Sequence, residues 1–183
     1  MKGKKSEITT CLAGDRLVLK THGRIVFRGL IDTLEAEVME AQVLASELEE
    51  NEFCSSLGEI LDYLRALMAA EVKETPLAPP FLFGMDAEEI HRESHRAFIS
   101  DGDGNAVLPS YTQGALAARL NTLRAKVREV EIAAVRVFGP HGDSEPHGER
   151  EDIILALNRL SSALWWLFCE CANRSYLAPG SAK

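Results

Sequence analysis

The sequence lacks several features that would place it in other classes of protein. It has no uninterrupted apolar run of the roughly 18 residues that a transmembrane helix needs. Its first residues are basic, without the apolar stretch of a signal peptide. Cysteines number only 4 and are scattered, which indicates reduced thiols in a cytosol rather than a disulfide framework. These absences predict a cytoplasmic protein.

Basic residues are also fewer than acidic ones. The chain has 28 Asp and Glu residues against 20 Lys and Arg, which gives a net charge of -8. This balance argues against nucleic acid or an anionic membrane surface as the main partner. With 183 residues, of which 46% are hydrophobic, the chain suits one soluble domain with a substantial core.

Three short motifs resemble functional sites but have simpler explanations. The segment Asp101–Asn105 resembles a calcium loop but lacks the later Gly and Glu of that motif, so it predicts a tight acidic turn. His91 and His95 share one helix face, as two metal ligands would, although such a pair is more often a solvated face. Cys169 and Cys171 lack redox spacing, and Cys171 is predicted to be a small buried hydrophobe.

Apolar residues recur at helical spacing in four long segments, which predicts four amphipathic helices. Those of the first two segments are Ile25, Leu30, Leu34, Val38, Ala41, Ala45 and Leu48, then Phe53, Leu57, Leu61, Leu64 and Met68. Those of the last two are Leu116, Leu120, Leu123, Val127, Val130, Ala134 and Val137, then Ile153, Leu157, Leu160, Leu164, Leu167 and Cys171. With short connections, the pattern predicts an all-α, up-down helical bundle.

Shorter elements complete this prediction. Asp86 and Glu89 form a capping-box pattern that opens a short helix. Ser110 and Gln113 are expected to cap the third long helix. One short strand is plausible at residues 16–21. The apolar, proline-containing segment 75–83 should pack across the bundle.

Polar residues lie beside the core seams of the last two long helices. Arg124, Arg128 and Glu131 form a row on one helix, while Asn158 and Ser161 border the seam of the other. The row has two interpretations that spacing does not separate. It is an exposed ladder of ion pairs, or the arginines bind a polyphosphate bidentately beside buried polar groups that need partners.

These residues also carry a resemblance to a known family. The run Leu157-Asn-Arg-Leu-Ser161 is similar to the final-helix signature of ATP:corrinoid (cobalamin) adenosyltransferases. Arg124-x-x-x-Arg128-x-x-Glu131 resembles the arginine helix that precedes that signature. Upstream, Lys20-Thr-His-Gly-Arg24 and Gly29-x-x-Asp32 resemble the family's N-terminal motifs. His91-Arg-x-Ser-His95 and Ile153-Ile-x-Ala-Leu-Asn-Arg-Leu-Ser-Ser162 are most similar to the ethanolamine-utilization branch.

The resemblance implies a fold and an activity. The fold would be a ferritin-like bundle of the cobalamin adenosyltransferase type, in trimers that bind ATP between subunits. The activity would transfer the 5′-deoxyadenosyl group of ATP to cob(I)alamin, giving adenosylcobalamin and triphosphate, with Mg²⁺ accompanying ATP. The cobalt is the nucleophile, so no Ser-His-Asp or Cys-His arrangement is required. A B12-dependent enzyme or its reductant would be a partner, in the cytoplasm and in association with a bacterial microcompartment.

The resemblance further implies roles for individual residues. The catalytic set is Asp32, Arg124, Arg128, Glu131 and Asn158. The cofactor-binding set is Lys20, Arg24, Arg128, Glu131, Asn158 and Ser161, and no protein metal ligand is expected. Asp32 matches an acid that pairs across the subunit interface with Arg124. Lys20 matches a lysine near the phosphates.

The predicted organisation has two parts and leaves alternatives open. Residues 1–24 form an N-terminal segment with a partial phosphate-binding region, because residues 9–15 keep only fragments of the family's Gly-rich loop. Residues 25–178 form the helical bundle domain. One alternative is a non-catalytic corrinoid- or nucleotide-binding relative that delivers or senses its ligand. Another is a helical scaffold whose charged rows only hold subunits together.

Overall fold

The computed structural model describes residues 6–101, 103–140 and 148–177, and it confirms an all-α bundle of four long helices and one short one. The helices are α1 (Gly23–Glu47), α2 (Asn51–Lys73), α3 (Ala87–Arg96), α4 (Ala115–Phe138) and α5 (Glu151–Leu177). A short hairpin of β1 (Thr9–Ala13) and β2 (Arg16–Leu19) precedes them. Residues 1–5, 102, 141–147 and 178, which the predicted two-part organisation includes, lie outside the described residues.

The bundle is organised by three long-helix pairs. α1 packs against α2 and α4, α4 packs against α5, and α3 lies on α5. The predicted seams of α4 and α5 are buried over most of their length, including Leu123 and Leu160. The last residue of each predicted seam is only half-buried: Val137 in α4, Cys171 in α5 and likewise Met68 in α2. A strict alternation of three and four drifts by about 20° per heptad around a straight helix, which turns the final residues away from the core.

The first two turns of α1 differ from the prediction. Phe27 and Ile31 are the buried residues there, whereas Ile25 and Leu30 are only partly buried. Leu34 and the later predicted residues of the seam are buried through Ala45. Extending the spacing of three and four backward from Leu34 leads to Ile31 and Phe27. The buried residues of α1 therefore keep this regular spacing, which the predicted positions Ile25 and Leu30 do not.

The hairpin contains the predicted strand and one that was not predicted. β1 and β2 pair antiparallel, with an irregularity between Cys11 and Ala13 and a turn at Gly14, whose φ is +53°. Leu12 is the only buried residue of β1. A strand with one buried side chain shows no period-two alternation, which explains why the sequence pattern missed it.

The two predicted helix caps have different outcomes. The capping box of Asp86 and Glu89 is present at the start of α3, as predicted. The box of Ser110 and Gln113 also forms, but it closes a separate 3-10 turn at Tyr111–Gln113. α4 starts after Gly114, whose φ of +95° interrupts the helical path, so Ser110 does not cap the long helix.

The proline-containing segment packs across the bundle, as predicted. The Leu77 backbone N–H donates to Asp152 Oδ2 of α5 at 2.8 Å, and the Tyr63 hydroxyl of α2 donates to the Ala78 carbonyl at 2.7 Å. The Phe83 ring stacks on Trp166 with centroids 5.7 Å apart. These contacts tie the segment to both α2 and α5.

The acidic segment is a tight turn rather than a calcium loop. Asp101 Oδ1 accepts hydrogen bonds from the backbone N–H groups of Asp103 at 3.0 Å and Asn105 at 2.8 Å. These bonds, with Asn105 contributing most, hold the pKa of Asp101 below its ordinary value. A carboxylate that already caps its own turn is occupied as an acceptor.

By length and composition, α5 is the one described helix that could cross a membrane. Half of its most apolar stretch is nevertheless buried inside the bundle. A core helix of a soluble protein passes the same test, so this property is weak evidence for a membrane span.

We expect Leu160→Ala to lower the free energy of unfolding by about 2–5 kcal/mol, because Leu160 is fully buried in the α4–α5 seam and truncation leaves a cavity. Urea denaturation monitored by circular dichroism measures the change. Leu108→Ala is the control, since Leu108 is 85% exposed, and it should shift stability by less than about 0.5 kcal/mol. Equal effects of the two substitutions would contradict the proposed seam.

Candidate functional site

The candidate site is built on the antiparallel register of α4 and α5. The Asn158 amide of α5 donates to Glu131 Oε1 of α4 at 3.0 Å. Two turns earlier on α4, the Arg124 guanidinium lies over the Trp165 ring at 5.5 Å from its centroid. Both contacts belong to one register, which places Arg128 opposite Ser161. The predicted polar margins of the two helices therefore meet.

Two arginines open into a pocket that we call the arginine pocket. It has a volume of about 260 Å³ and is lined by Ser94, His95, Arg124, Arg128, Ser161, Ser162 and Trp165. Arg124 is fixed in place, because its Nε donates to Asn121 Oδ1 at 3.1 Å while Trp165 covers its plane. Arg128 is exposed and remains available to a ligand.

The charge of this pocket is not neutralised by the residues that the structure describes. Across the described ranges, no carboxylate forms an ion pair with Arg124 or Arg128. Burial, together with the neighbouring charge of Arg128, lowers the pKa of Arg124 from its ordinary value. An arginine nevertheless stays protonated, so the pocket holds two cations. The Ser94 and Ser161 hydroxyls donate to the backbone carbonyls of His91 and Asn158, each at 2.8 Å. The two guanidinium groups are therefore the part of the lining that favours an anion with several oxygens.

Beside this pocket lies a groove with a different character, which we call the asparagine groove. Its volume is about 450 Å³, and its lining is Glu131, Val135, Gly139, Pro140, Gly148, Glu151, Ile154, Leu155 and Asn158. The carboxylate of Glu131 repels a phosphate but accepts hydrogen bonds from hydroxyl groups. Apolar side chains form much of the remaining wall. The groove therefore suits a neutral group with a flat or apolar part and a few hydroxyls.

The other sequence-predicted residues lie apart from these two cavities. Lys20 directly follows β2 and is exposed. Asp32 is exposed on α1 and lines neither cavity. Arg24, near the start of α1, binds the carboxylates of Glu71 in α2 and of Glu74, which directly follows that helix. One chain thus brings together five of the eight predicted residues: Arg124, Arg128, Glu131, Asn158 and Ser161.

Sequence reasoning missed several residues of the arginine pocket. Trp165 lies in α5, and its contact with Arg124 depends on the packing of α4, which the sequence pattern of α5 alone does not show. His95 had been noted only as one of a histidine pair; its ring meets that of His91 at 4.5 Å between centroids. Among the described residues no group of three or more metal-ligating side chains exists. His95 therefore belongs to the pocket lining.

The two cysteines of α5 differ in burial. Cys169 is the more buried of the two, whereas Cys171, predicted to be buried, is only half-buried at the edge of the core. Burial raises the pKa of Cys169 to about 12 and that of Cys171 to about 11. Both thiols are therefore protonated at neutral pH and are poor nucleophiles.

Comparison with known proteins gives consistent results. A family model described as cobalamin adenosyltransferase matches residues 2–171. The corrinoid adenosyltransferase EutT of Salmonella typhimurium is 35% identical over 162 residues, which are 88% of this chain and 58% of that protein. The protein of the same name from Escherichia coli is 34% identical over the same shares. The chain thus spans little more than half the length of the curated relatives that it matches.

A solved structure shares the fold. It is a variant of the PduO-type ATP:corrinoid adenosyltransferase from Lactobacillus reuteri, complexed with cobalamin and ATP. The TM-score is 0.64 at 19% sequence identity, and the match covers 94% of this chain and 92% of that one. At this identity the likeness supports the bundle architecture.

We expect iodoacetamide at pH 8 to modify Cys11 and to leave Cys169 unmodified in the folded protein. Cys11 is exposed, whereas Cys169 is buried and its raised pKa keeps it protonated until the solution becomes strongly alkaline. Peptide mass spectrometry after a time course of alkylation measures both sites. Equal rates at the two cysteines before unfolding would show that α5 does not shield Cys169.

Proposed function

Because the chain belongs to the cobalamin adenosyltransferase family, we propose that it transfers the 5′-deoxyadenosyl group of ATP to a reduced corrinoid. The observation that carries this proposal is the juxtaposition of the arginine pocket and the asparagine groove in one register. Arg128 and Glu131 are three residues apart, which is about 4.5 Å along a helix axis. A nucleotide is long enough to reach both.

The two cavities suggest how ATP would lie. Its phosphates match the arginine pocket, where Arg128 is exposed and Arg124 is fixed by Asn121 and Trp165. Ser161 lies at the border, where its hydroxyl donates to the Asn158 carbonyl at 2.8 Å. The ribose hydroxyls match the Glu131 carboxylate and the Asn158 amide, which already hydrogen-bond each other. The opposite orientation would place phosphates beside Glu131, where like charges repel.

This arrangement would assist the reaction through charge. In the proposed step the cobalt of cob(I)alamin attacks the 5′ carbon, a Co–C bond forms, and the C–O bond to triphosphate breaks. The leaving triphosphate gains negative charge in the transition state, and fixed guanidinium groups stabilise it. Mg²⁺ would accompany ATP on its phosphates, in the arginine pocket and away from the Glu131 carboxylate.

The remaining predicted residues fit a site shared between subunits of a homotrimer. Arg124 lacks a carboxylate partner in the described part of its own chain, and Asp32 is exposed on another face. We propose that Asp32 of one copy pairs with Arg124 of the next. Lys20 would serve the phosphates from the N-terminal segment, residues 1–24, while residues 25–178 supply the bundle. Arg24, which the resemblance also assigns to the cofactor, is engaged by Glu71 and Glu74 in this chain.

The cellular setting follows from the same family membership. The proposed product, adenosylcobalamin, would pass to a B12-dependent enzyme, with ethanolamine utilization as the process suggested by the EutT relatives. We propose a cytoplasmic location, in association with a bacterial microcompartment. A reductant that generates cob(I)alamin would be a further partner.

One observation favours the second candidate, a non-catalytic corrinoid- or nucleotide-binding relative. Residues 9–13, where fragments of a Gly-rich phosphate loop were predicted, form strand β1, which pairs antiparallel with β2 instead of forming an open loop. Backbone N–H groups used in a ladder are not free to cradle phosphates. Such a protein would bind the ligands without turnover.

An anaerobic assay separates these functions. The full chain is mixed with cob(I)alamin and Mg-ATP, and the absorbance change of adenosylcobalamin formation is followed. We expect ATP-dependent product formation above a reaction without protein. Binding of ATP by calorimetry without turnover would favour the binding protein, and the absence of both would leave a helical scaffold.

We expect Arg128→Ala and Asn158→Ala each to reduce turnover by about 10²-fold, because each removes a charge or donor aimed at the nucleotide. Stability should change by no more than about 1 kcal/mol, since Arg128 is exposed and Asn158 makes few protein contacts. Steady-state rates and thermal melts measure the two effects. Lys126→Ala, on an exposed face of α4, is the matched control; full activity in both site variants would refute the assignment.

A further inference from the structure

A buried carboxylate lies where α1 and α2 meet, outside both cavities. The side chain of Glu71, near the end of α2, is 0% exposed. Its Oε1 accepts a hydrogen bond from Arg24 Nε, and its Oε2 accepts one from Arg28 Nε at 2.5 Å. The two arginine side chains are only 16% and 14% exposed. Glu71 therefore holds two guanidinium groups in a largely dry environment.

Stability is a weak explanation for this cluster. Transfer of three charges out of water is costly, and apolar residues of similar volume often replace such groups without loss. The cluster is also incompletely satisfied: Arg28 Nη2 is buried and has no hydrogen-bond partner in the described part of the chain. A buried ionic cluster of this kind is better explained by what it positions.

The cluster positions the N-terminal hairpin. Arg28 Nη1 donates to the backbone carbonyl of Leu12 in β1 at 2.8 Å. Leu12 is also the buried residue of that strand. The polar contact and the apolar contact of β1 with the bundle are therefore made by the same residue. On the other side, Arg24 binds Glu74, which lies 3.9 Å from Arg16 of β2. This second link is exposed, and such links contribute little. Arg28 is thus the main polar connection between hairpin and bundle.

We propose that Glu71 is a positioning residue for the nucleotide: it fixes Arg28, and Arg28 holds the hairpin that carries Lys20. Lys20 follows β2 directly, and its backbone N–H is bonded to the Ile8 carbonyl at 2.9 Å, so its location is that of the hairpin. Lys20 lies apart from the arginine pocket of its own chain, so the phosphates that it would serve are those bound at a neighbouring subunit. A released hairpin would take the lysine away from them. The inference rests on the proposed function for its activity measurement, but not for its structural one.

The test uses Arg28→Met in the full chain, with hydrogen exchange followed by mass spectrometry. Met keeps an apolar stem and leaves Glu71 paired with Arg24. Peptides covering residues 9–19 should exchange roughly 10-fold to 100-fold faster than in the parent, because a charged donor to the strand is lost. Peptides of α4 should be unchanged. Unchanged exchange of the hairpin would overturn the inference.

Two further variants keep the test informative. Arg28→Lys retains a cation for Glu71 but cannot reach both that carboxylate and the Leu12 carbonyl, so it too should release the hairpin even if the Met variant does not fold. Glu71→Gln should have the same direction of effect. Glu74→Gln is the matched control, because it removes a carboxylate from Arg24 without touching Arg28, and hairpin exchange should change less than about 2-fold.

Kinetics distinguish positioning from a general loss of folded protein. In the anaerobic assay, Arg28→Lys should raise the KM for ATP by about 5-fold or more, while kcat at saturating ATP stays within about 2-fold. A smaller folded fraction would lower apparent kcat and leave KM unchanged, and that outcome would overturn the positioning role. If the parent chain shows no turnover, the proposed function fails, and hairpin exchange alone decides whether Glu71 and Arg28 hold the hairpin.

Discussion

The antiparallel packing of α4 on α5 is the interaction on which the candidate site depends. Apolar side chains such as Leu123 and Leu160 fill the seam completely, so neither helix can slide without opening a cavity. The packing of the seam also fixes the positions of the polar residues beside it. Glu131 therefore reaches Asn158, and Arg124 reaches Trp165, because of core packing rather than because of their own weak attraction.

The distribution of charge in this acidic protein gives the site its character. Acidic residues outnumber basic ones, yet no described carboxylate pairs with Arg124 or Arg128. Elsewhere arginines have carboxylate partners: Arg24 pairs with two, and Arg28 shares the buried carboxylate of Glu71 with it. A cationic pocket is therefore a local exception to the overall balance. Local geometry, not net charge, decides which ligands it favours.

The sequence predicted the helices and about half of the candidate site. The residues that it did not predict were missed for physical reasons. Row positions on α4 and α5 follow from helical periodicity, which is why the seam and the polar residues beside it could be predicted. The hydrogen bond between Asn158 and Glu131 emerged from the structure. His95 comes from α3, whose docking on α5 is a tertiary event without a local pattern. Glu71 is different: it continues the buried α2 row through Leu64 and Leu67 at regular spacing, so a signal was present.

A second copy would change the charge of the arginine pocket. If Asp32 of a neighbouring chain pairs with Arg124, one of the two cations is neutralised and Arg128 alone faces the ligand. Assembly would then reduce non-specific attraction for anions while leaving a bidentate donor at the position that faces Ser161. The hairpin and its lysine would become more important, because they supply positive charge that the pocket has lost. The buried carboxylate of Glu71, which fixes the hairpin through Arg28, would therefore influence a site that it never touches.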